Sequence, residues 1–397
     1  MSTRLLICDD SNMARKQCAR SLPDDWDVEI SFATNGKEGV EAIKEGKGDV
    51  LLLDLNMPVM DGYEVLETIM KEDLPTLVIV ISGDIQPEAH QRVTSMGALD
   101  FIKKPVSKEK LTEILLAYGV FTREAEAKSE PKLDVSSKSA QEQEKPAVES
   151  PEAKSKPKET DLTTEQKQAP PVSSPIAKSI DIKQTQPAAQ VQPEPEPEEH
   201  LEPDIRDCYQ EIANVAMGQA GDLLARLLDV FVLLPIPNVN LIEVSELSMA
   251  LSAVEAHEST SGVCQGFIGA GVSGEALLIL SDSSFKDVAS LMNYQYEHDD
   301  STELELLMDM ANVLIGACLN GISGQLDMPF SQGHPVVLGQ HRKISELIAT
   351  NSTKWKRTLA IEISYSIENY PIKCDLLLLF TEESMRTLNN KLAYLLD

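Results

Sequence analysis

Polar residues stand directly after four apolar runs in the N-terminal part of the chain, where they could build one reaction site. The runs and the residues that follow them are Arg4–Cys8 with Asp9 and Asp10, Val50–Leu53 with Asp54, Leu77–Ile81 with Ser82, and Leu99–Ile102 with Lys104. Runs of this kind are typical of buried parallel strands, whose carboxyl ends meet at one edge of a sheet. The sequence therefore predicts that three carboxylates, a hydroxyl and an ammonium group converge on one pocket.

This set of side chains suits phosphoryl transfer to a carboxylate. Clustered carboxylates repel one another and favour a hard divalent cation such as Mg²⁺, which takes oxygen ligands. A lysine and a hydroxyl supply further donors, and positioning with charge neutralisation carries most of the catalysis in such reactions. Asp54 stands out because Pro58 and Gly62 break the chain soon after it.

Residues 1 to about 120 closely resemble the receiver domain of two-component response regulators. The resemblance implies that Asp54 is the phosphoryl acceptor and that the receiver catalyses its own phosphorylation, with a histidine kinase as phosphodonor. It also implies Mg²⁺ as cofactor, held by Asp10, Asp54 and the Asn56 carbonyl, with Asp9 assisting through water.

The same resemblance assigns the rest of the pocket. Ser82 and Lys104 would contact the phosphoryl group. Phe101, three residues before the lysine, matches the aromatic residue that such domains rotate on activation. Gly83 departs from the pattern, because an alanine is more usual after the pocket hydroxyl.

The chain divides into three parts. Apolar and amphipathic stretches alternate five times from Arg4 to Tyr118, which predicts an α/β domain over 1–122: a doubly wound, flavodoxin-like sheet of five parallel strands, with helices over 36–47, 62–71, 87–96 and 107–118. Residues 123–200 contain no glycine, cysteine or aromatic residue but 11 of the 22 prolines. That composition predicts a long disordered linker, because it buries too little apolar surface to offset the entropy of ordering. Apolar periodicity returns over 201–397, a second domain.

Charge and composition exclude several classes of protein. The formal net charge is −29, and residues 201–397 alone carry 27 acidic and 11 basic residues, which disfavours a nucleic-acid or anionic-membrane partner. Six scattered cysteines suggest neither a zinc site nor a disulfide framework. The N-terminal sequence has no signal peptide, and no uninterrupted apolar run reaches the length of a membrane span. A cytoplasmic protein is expected.

The C-terminal part contains an internal repeat, over about 204–292 and 302–392. Gly274–Met292 matches Cys374–Leu392 as apolar strand, polar turn and helix, which predicts an α/β (α+β) domain with pseudo-twofold symmetry. A helix upstream of each copy carries four positions at i, i+4, i+7 and i+11, which fall on one stripe. The first motif is Asp207, Glu211, Asn214 and Gly218, and the second motif is Glu305, Asp309, Asn312 and Gly316.

These motifs place a carboxylate and a carboxamide on helices that are otherwise apolar. The carboxamide offers a donor and an acceptor, which suits holding a water in line with a phosphoryl group, while the acid can engage a cation on a partner. The glycine one turn further on lets another protein's loop approach. In both copies a proline, Pro237 or Pro335, follows the asparagine by 23 positions.

Residues 204–395 resemble the CheC/CheX/FliY family of chemotaxis phosphatases. The resemblance implies hydrolysis of the acyl phosphate on a receiver aspartate, with Glu211 and Asn214 as the first catalytic site and Asp309 and Asn312 as the second. The asparagine would orient water and the acid would grip the lysine of the substrate's phosphate pocket. A CheY-like receiver would be the substrate and would supply the Mg²⁺, and a CheD-like protein is an accessory partner of some relatives.

Three alternatives stay open. The phosphatase could act in trans on a separate receiver or in cis on Asp54. The second site could be degenerate, because Asp309 is one methylene shorter than the usual glutamate. The C-terminal domain could instead be a non-catalytic module that docks a chemotaxis or flagellar-motor protein under control of Asp54.

A separate dinucleotide-like pattern, Gly269 to Gly274, leads into a strand and is therefore interpreted as a hairpin turn.

Overall fold

The computed structural model describes residues 2–122, 201–243, 259–294, 300–342 and 357–396. The predicted disordered linker, 123–200, lies outside the described residues. The described N-terminal and C-terminal domains belong to one compact unit.

The N-terminal domain is a parallel sheet with helices on both faces, as predicted. Its five described strands lie in the order β2-β1-β3-β4-β5, and every pair is parallel. The strands are β1 Thr3–Cys8, β2 Val28–Ala33, β3 Val50–Leu53, β4 Leu77–Ser82 and β5 Asp100–Lys103. The helices are α1 Asn12–Arg20, α2 Gly36–Lys44, α3 Gly62–Glu72, α4 Pro87–Ser95 and α5 Lys108–Ala117.

Each face of this sheet has its own apolar core. Leu51 and Leu53 of β3 pack on the side of Val40 and Val65, from α2 and α3. Leu52, between them, points to the other face, where it joins a cluster from α1 and α5. Successive residues of β3 point to opposite faces of the sheet, and because both faces are covered, every residue of β3 is buried. The strand leads directly into Asp54.

Local signals set the helix ends. Ser11, Asn35, Asp61 and Ser107 each accept a hydrogen bond from a backbone N–H in the first turn, which supplies the N-caps of α1, α2, α3 and α5. The helix predicted over 36–47 was too long, because α2 ends at Lys44 and Gly46 adopts a left-handed φ of 76° just beyond the C-cap.

A substitution pair tests the strand packing. We expect Leu52→Ala, at a side chain 1% exposed, to lower the free energy of unfolding of the N-terminal domain by about 2–5 kcal/mol. Leu77→Ala, at a side chain 44% exposed in the neighbouring strand, should cost less than about 1 kcal/mol. Urea unfolding followed by Trp26 fluorescence in a Trp355→Phe background checks both, and equal costs would contradict the packing described.

The C-terminal domain packs long helices against a mixed-length antiparallel sheet. Its eight described strands have the central order β10-β8-β9-β13-β12-β6, with β11 beside β8 and β7 beside β12. The strands are β6 Val232–Leu233, β7 Asn238–Glu243, β8 Thr260–Gly269, β9 Val272–Ser281, β10 Ser331–Gln332, β11 Val336–Arg342, β12 Arg357–Ile367 and β13 Lys373–Thr381. The described helices are α6 Pro203–Leu228, α7 Phe285–Leu291, α8 Asp300–Leu326 and α9 Glu382–Leu396.

The predicted repeat corresponds to two structural halves. Strand β9 is followed by α7 in one half and β13 by α9 in the other, and β9 pairs antiparallel with β13 at the centre of the sheet. Helices α6 and α8 pack side by side over one buried core. The Gly269 to Gly274 segment is the hairpin between β8 and β9, with left-handed Ala270 and Gly271 at its tip, as expected.

Within the described ranges, α8 is long and apolar enough by composition to cross a membrane, and 56% of its apolar window is buried. The buried residues of α8, including Leu307, Met310 and Leu314, belong to the core that also contains α6. A core helix of this length meets the same compositional criterion, so the feature is accounted for by packing inside the domain.

Candidate functional site

The three N-terminal carboxylates meet at one edge of the parallel sheet. Carboxylate oxygens of Asp9, Asp10 and Asp54 lie within 4.8 Å of one another, and Asp54 is 1% exposed. The backbone N–H of Ser11 donates to Asp9 at 2.9 Å, and Arg15 donates to the carbonyl oxygens of residues 9 and 10. The strand ends therefore bring together the acids that the sequence placed there.

Lys104 lies at the centre of these acids. Its backbone N–H donates to the carbonyl of Ser82, which aligns the ends of β4 and β5. Its ammonium nitrogen lies 2.8 Å from an Asp9 oxygen and 3.5 Å from an Asp54 oxygen, and the residue is 5% exposed. The lysine is thus fixed beside the carboxylate that the resemblance makes the phosphoryl acceptor.

The pocket holds more negative charge than its lysine can neutralise. Burial raises the pKa of Asp54 well above its ordinary value, against the opposing effect of Lys104. Burial also raises the pKa of Asp10 to about 6. For Lys104, burial opposes the charged form, but Asp54, Asp9 and Glu211 outweigh it and raise its pKa. The ammonium group therefore stays charged while several acids compete for it.

This arrangement fits a divalent cation. Both carboxylate oxygens of Asp54 are buried without a hydrogen-bond partner, although one of them lies near Lys104. Oxygen atoms of three acids are close enough to share one ion, and such oxygens are the ligands that Mg²⁺ prefers. Asp9, Asp10, Asp54 and the Asn56 carbonyl are the groups that would hold it.

Helix α6 of the C-terminal domain covers this pocket. Glu211 places its two carboxylate oxygens 3.2 and 3.3 Å from the ammonium nitrogen of Lys104. Glu211 is 5% exposed, and burial raises its pKa to about 7, with the Lys104 charge opposing the rise. The acid of the first motif therefore binds Lys104 of the same chain.

Asp207, one turn before Glu211, caps the N-terminus of α1. Its carboxylate accepts hydrogen bonds from the backbone N–H groups of Asn12 at 3.0 Å and Met13 at 2.8 Å, and from the Ser11 hydroxyl at 3.3 Å. A carboxylate at this end of a helix satisfies otherwise unpaired donors and complements the helix dipole. The first residue of the motif thus orients α6 on the N-terminal domain.

Further contacts fix the two domains together, and sequence reasoning did not find them. The side-chain amide of Gln86 exchanges two hydrogen bonds with the backbone of Val232, at 2.8 and 2.9 Å. Arg92 donates to both carboxylate oxygens of Glu368 at 3.1 Å and lies over the Phe231 ring at 4.3 Å. No local pattern distinguishes these residues, since each pairs with one far away along the chain.

Asn214 lies one turn beyond Glu211, facing a cavity next to the acids. It is 6% exposed, and its carboxamide oxygen is buried without a hydrogen-bond partner. The cavity has a volume of about 430 Å³, and its lining includes Asp10, Asn56 and Asn214. Pro237, the proline that follows the asparagine by 23 positions, forms another part of its wall. The motif's proline thus helps to shape the space beside the amide.

The other two predicted pocket residues take separate positions. Ser82 is fully buried, and its hydroxyl accepts a hydrogen bond from the backbone N–H of Asp84 at 3.1 Å. Phe101 is half-buried and contacts His90 edge to face, with ring centroids 5.5 Å apart. Ser82 therefore lies at the strand end beside Lys104, whereas Phe101 lies against α4.

The second motif is open to solvent. Glu305, Asp309 and Asn312 are all exposed on α8, and the Tyr294 hydroxyl lies 3.4 Å from an Asp309 oxygen. An added Cβ at Gly316 would find its nearest neighbour, Gln332, at 3.9 Å. Two motifs with the same residue pattern therefore differ in surroundings: one is covered by the N-terminal domain and one is accessible.

Closure of α6 over the pocket should depend on pH in Mg²⁺-free buffer. The pKa of Glu211 rises to about 7 when the domains are docked, so the docked state takes up a proton. Proton uptake by Glu211 therefore stabilises the docked state fully at a pH below the ordinary pKa of glutamate. This stabilisation is lost as the pH rises through about 7. We expect the radius of gyration from small-angle X-ray scattering to increase between pH 6 and pH 8. Glu211→Gln should flatten the change, and expansion on acidification would contradict the assignment.

Comparisons with known proteins concern mainly the N-terminal domain. A family model described as the response regulator receiver domain matches residues 5–116. Protein-glutamate methylesterase/protein-glutamine glutaminase 3 of Geobacter sulfurreducens is 42% identical over 113 residues, which are 28% of this chain and 30% of that protein. The corresponding protein of Methanosarcina barkeri is 43% identical over 108 residues, which are 26% of this chain and 29% of that protein. The chain spans about 30% of the length of these curated relatives.

Two solved structures add to this comparison. The response regulator domain of Thermotoga maritima CheB is 32% identical and covers 31% of this chain and 100% of that one, with a TM-score of 0.27. Thermotoga maritima FliY is 18% identical and covers 49% of this chain and 98% of that one, with a TM-score of 0.37. On the family match and the fold together, residues 5–116 are a response regulator receiver domain.

Proposed function

We propose that the C-terminal domain is an aspartyl-phosphate phosphatase and that its first motif acts in cis on phosphoryl-Asp54. One observation carries the proposal. The Glu211 carboxylate binds the ammonium group of Lys104. Asn214, on the same face of α6, lines the adjoining cavity and has a buried amide oxygen without a hydrogen-bond partner. An acid that binds the pocket lysine and an amide able to hold a water are the two groups that the proposed hydrolysis uses.

In this reaction a water oxygen attacks phosphorus on the side opposite Asp54. The bond between phosphorus and the Asp54 oxygen breaks, its electron pair returns to the carboxylate, and inorganic phosphate leaves with the proton released by the water. Asn214 accepts a hydrogen bond from that water and holds it in line, which contributes by orientation. Glu211 positions Lys104, and Lys104 stabilises charge on the phosphoryl oxygens.

Mg²⁺, when bound by Asp9, Asp10, Asp54 and the Asn56 carbonyl, supplies charge neutralisation to the phosphoryl group. The protein's own contribution is enclosure. Asp54 is 1% exposed beneath α6, and a cavity lined by Asp10 and Asn214 adjoins the site. Electrostatic contacts are stronger in such a water-poor site than in bulk solvent.

The second motif supports a second substrate. Asp309 and Asn312 are exposed, so the second motif is accessible to a separate CheY-like receiver and would act on it in trans. A histidine kinase would be the phosphodonor to Asp54, and a chemotaxis or related sensory pathway is the setting that the receiver's relatives favour. The methylesterase activity named for those relatives is not transferred, because the matches cover 26% and 28% of this chain.

The concentration dependence of dephosphorylation tests the cis reaction. Asp54 is labelled from a ³²P-carrying small-molecule acyl phosphate with Mg²⁺, the donor is removed, and decay of the protein-bound label is followed. A cis reaction predicts a first-order rate constant that stays the same over a hundredfold dilution. A rate constant that falls in proportion to dilution would show that one chain acts on another and would refute the cis assignment.

A non-catalytic function has one observation in its favour. The docked α6 seals Asp54, so the C-terminal domain could simply block access of the phosphodonor and release on phosphorylation. This alternative predicts slow decay of phosphoryl-Asp54 in the intact chain and no effect of replacing Asn214. Fast decay that depends on Asn214 excludes it.

A further inference from the structure

The receiver and α6 approach each other closely at two glycines. A Cβ added at Gly218 would overlap the carbonyl group of Gly83 and come within 3.0 Å of the Asp84 backbone nitrogen. A Cβ added at Gly83 would in turn lie 3.2 Å from the Asn214 carbonyl oxygen and 3.2 Å from the Val215 Cα. The backbone at Gly218 therefore leaves no room for a side chain, and the space at Gly83 is tight even for a methyl group.

Backbone conformation does not require either glycine. Neither is among the glycines with positive φ, and Gly218 lies well inside α6. A glycine in a helix interior is destabilising relative to alanine. At its equivalent in the second motif, Gly316, the nearest neighbour of an added Cβ is the Gln332 side chain at 3.9 Å. Contact with the receiver is thus what sets the steric limit at Gly218.

We propose that Gly83 and Gly218 form a specificity contact. The first motif accepts a receiver whose residue after the pocket hydroxyl is glycine, and it rejects receivers that carry a larger side chain there. This inference rests on the proposed function for its substrate class, a phosphorylated receiver. Under this inference, the first motif acts on the chain's own receiver. Receivers with a larger residue after the pocket hydroxyl would be substrates of the exposed second motif.

The position of this contact explains why it discriminates. Gly83 follows Ser82 at the end of β4, and Gly218 lies one turn beyond Asn214 on α6. A side chain between them lifts α6 away from the strand end. The Glu211 oxygens, 3.2 and 3.3 Å from Lys104, would then lose their ion pair, and Asn214 would move away from the cavity beside Asp10.

The test uses Gly218→Ala in the full chain with two measurements. Docking is measured by hydrogen exchange of the Asn12 and Met13 amides, which donate to Asp207 only when α6 is seated. Catalysis is measured by decay of phosphoryl-Asp54. We expect loss of amide protection and decay slowed by about tenfold or more, the equivalent of about 1.4 kcal/mol. Gly324→Ala is the control, because it makes the same change in a helix where an added Cβ has no neighbour within 4 Å.

A substitution on the receiver side gives an independent measurement. Gly83→Leu leaves α6 intact and should also remove the amide protection, whereas Gly83→Ala should reduce it less. Retained protection in both Gly218→Ala and Gly83→Leu would overturn the specificity contact. Failure of the proposed function has a different signature: decay would be slow in the wild-type chain, while loss of protection in Gly218→Ala would still support the contact.

Discussion

Replacing Asn214 by alanine should slow the decay of phosphoryl-Asp54 by on the order of 10²-fold while the two domains stay docked. The expected effect is large because, in the proposed mechanism, Asn214 holds the attacking water in line with the phosphoryl group. The Asn214 amide oxygen is buried and accepts no hydrogen bond. Removing this oxygen therefore leaves no donor without its acceptor. Docking should persist through Glu211 and Asp207, which bind the receiver one and two turns earlier on α6.

Asn312→Ala is the matched control for this variant. It removes the same side chain from the equivalent place in the second motif, which is exposed on α8. We expect the first-order decay of phosphoryl-Asp54 to change by less than about twofold. Equal slowing by both variants would mean that the motifs act together, and no slowing by Asn214→Ala would remove the catalytic role of the amide.

Reversing the charge of Glu211 should disable both docking and dephosphorylation. In Glu211→Lys a second ammonium group would lie about 4 Å from that of Lys104, and two such charges repel by on the order of 4 kcal/mol at a protein-like dielectric. The pair is buried, so solvent screens this repulsion poorly. We expect α6 to leave the receiver and decay to slow by about 10²-fold, measured with the ³²P label and small-angle X-ray scattering.

Asp309→Lys makes the same change in the second motif. Asp309 is exposed, so an added ammonium group there meets solvent and not a buried lysine. The radius of gyration and the decay of phosphoryl-Asp54 should both stay at the wild-type values. Expansion of the molecule in this control would show that general charge, and not the Glu211 contact, holds the domains together.

Local sequence was sufficient to predict the receiver pocket. Apolar runs that end in Asp54, Ser82 and Lys104 identify strand ends, and parallel pairing necessarily brings those ends to one edge of the sheet. The helix stripe was predictable for a similar reason. Asp207, Glu211 and Asn214 share one face of α6 because the helical period places them there.

The partnership between the domains could not be predicted in this way. The two motifs have nearly the same residue types, yet Glu211 binds Lys104 whereas Asp309 faces solvent. That difference depends on the shape of surfaces built from distant parts of the chain. Gly83 illustrates the limit: its departure from alanine was visible in the sequence, but the backbone that an added Cβ would meet, at Asn214 and Val215, belongs to another domain.

The most direct test of the central claim is a crystal structure of the full chain with Mg²⁺ and beryllium trifluoride, which mimics a phosphoryl group on Asp54. The account predicts that α6 stays seated, that Glu211 contacts Lys104, and that the Asn214 amide lies about 3 Å from a water in line with the mimic and the Asp54 oxygen. A structure in which the mimic occupies Asp54 with α6 seated but the Asn214 side chain turned away from that water would contradict it.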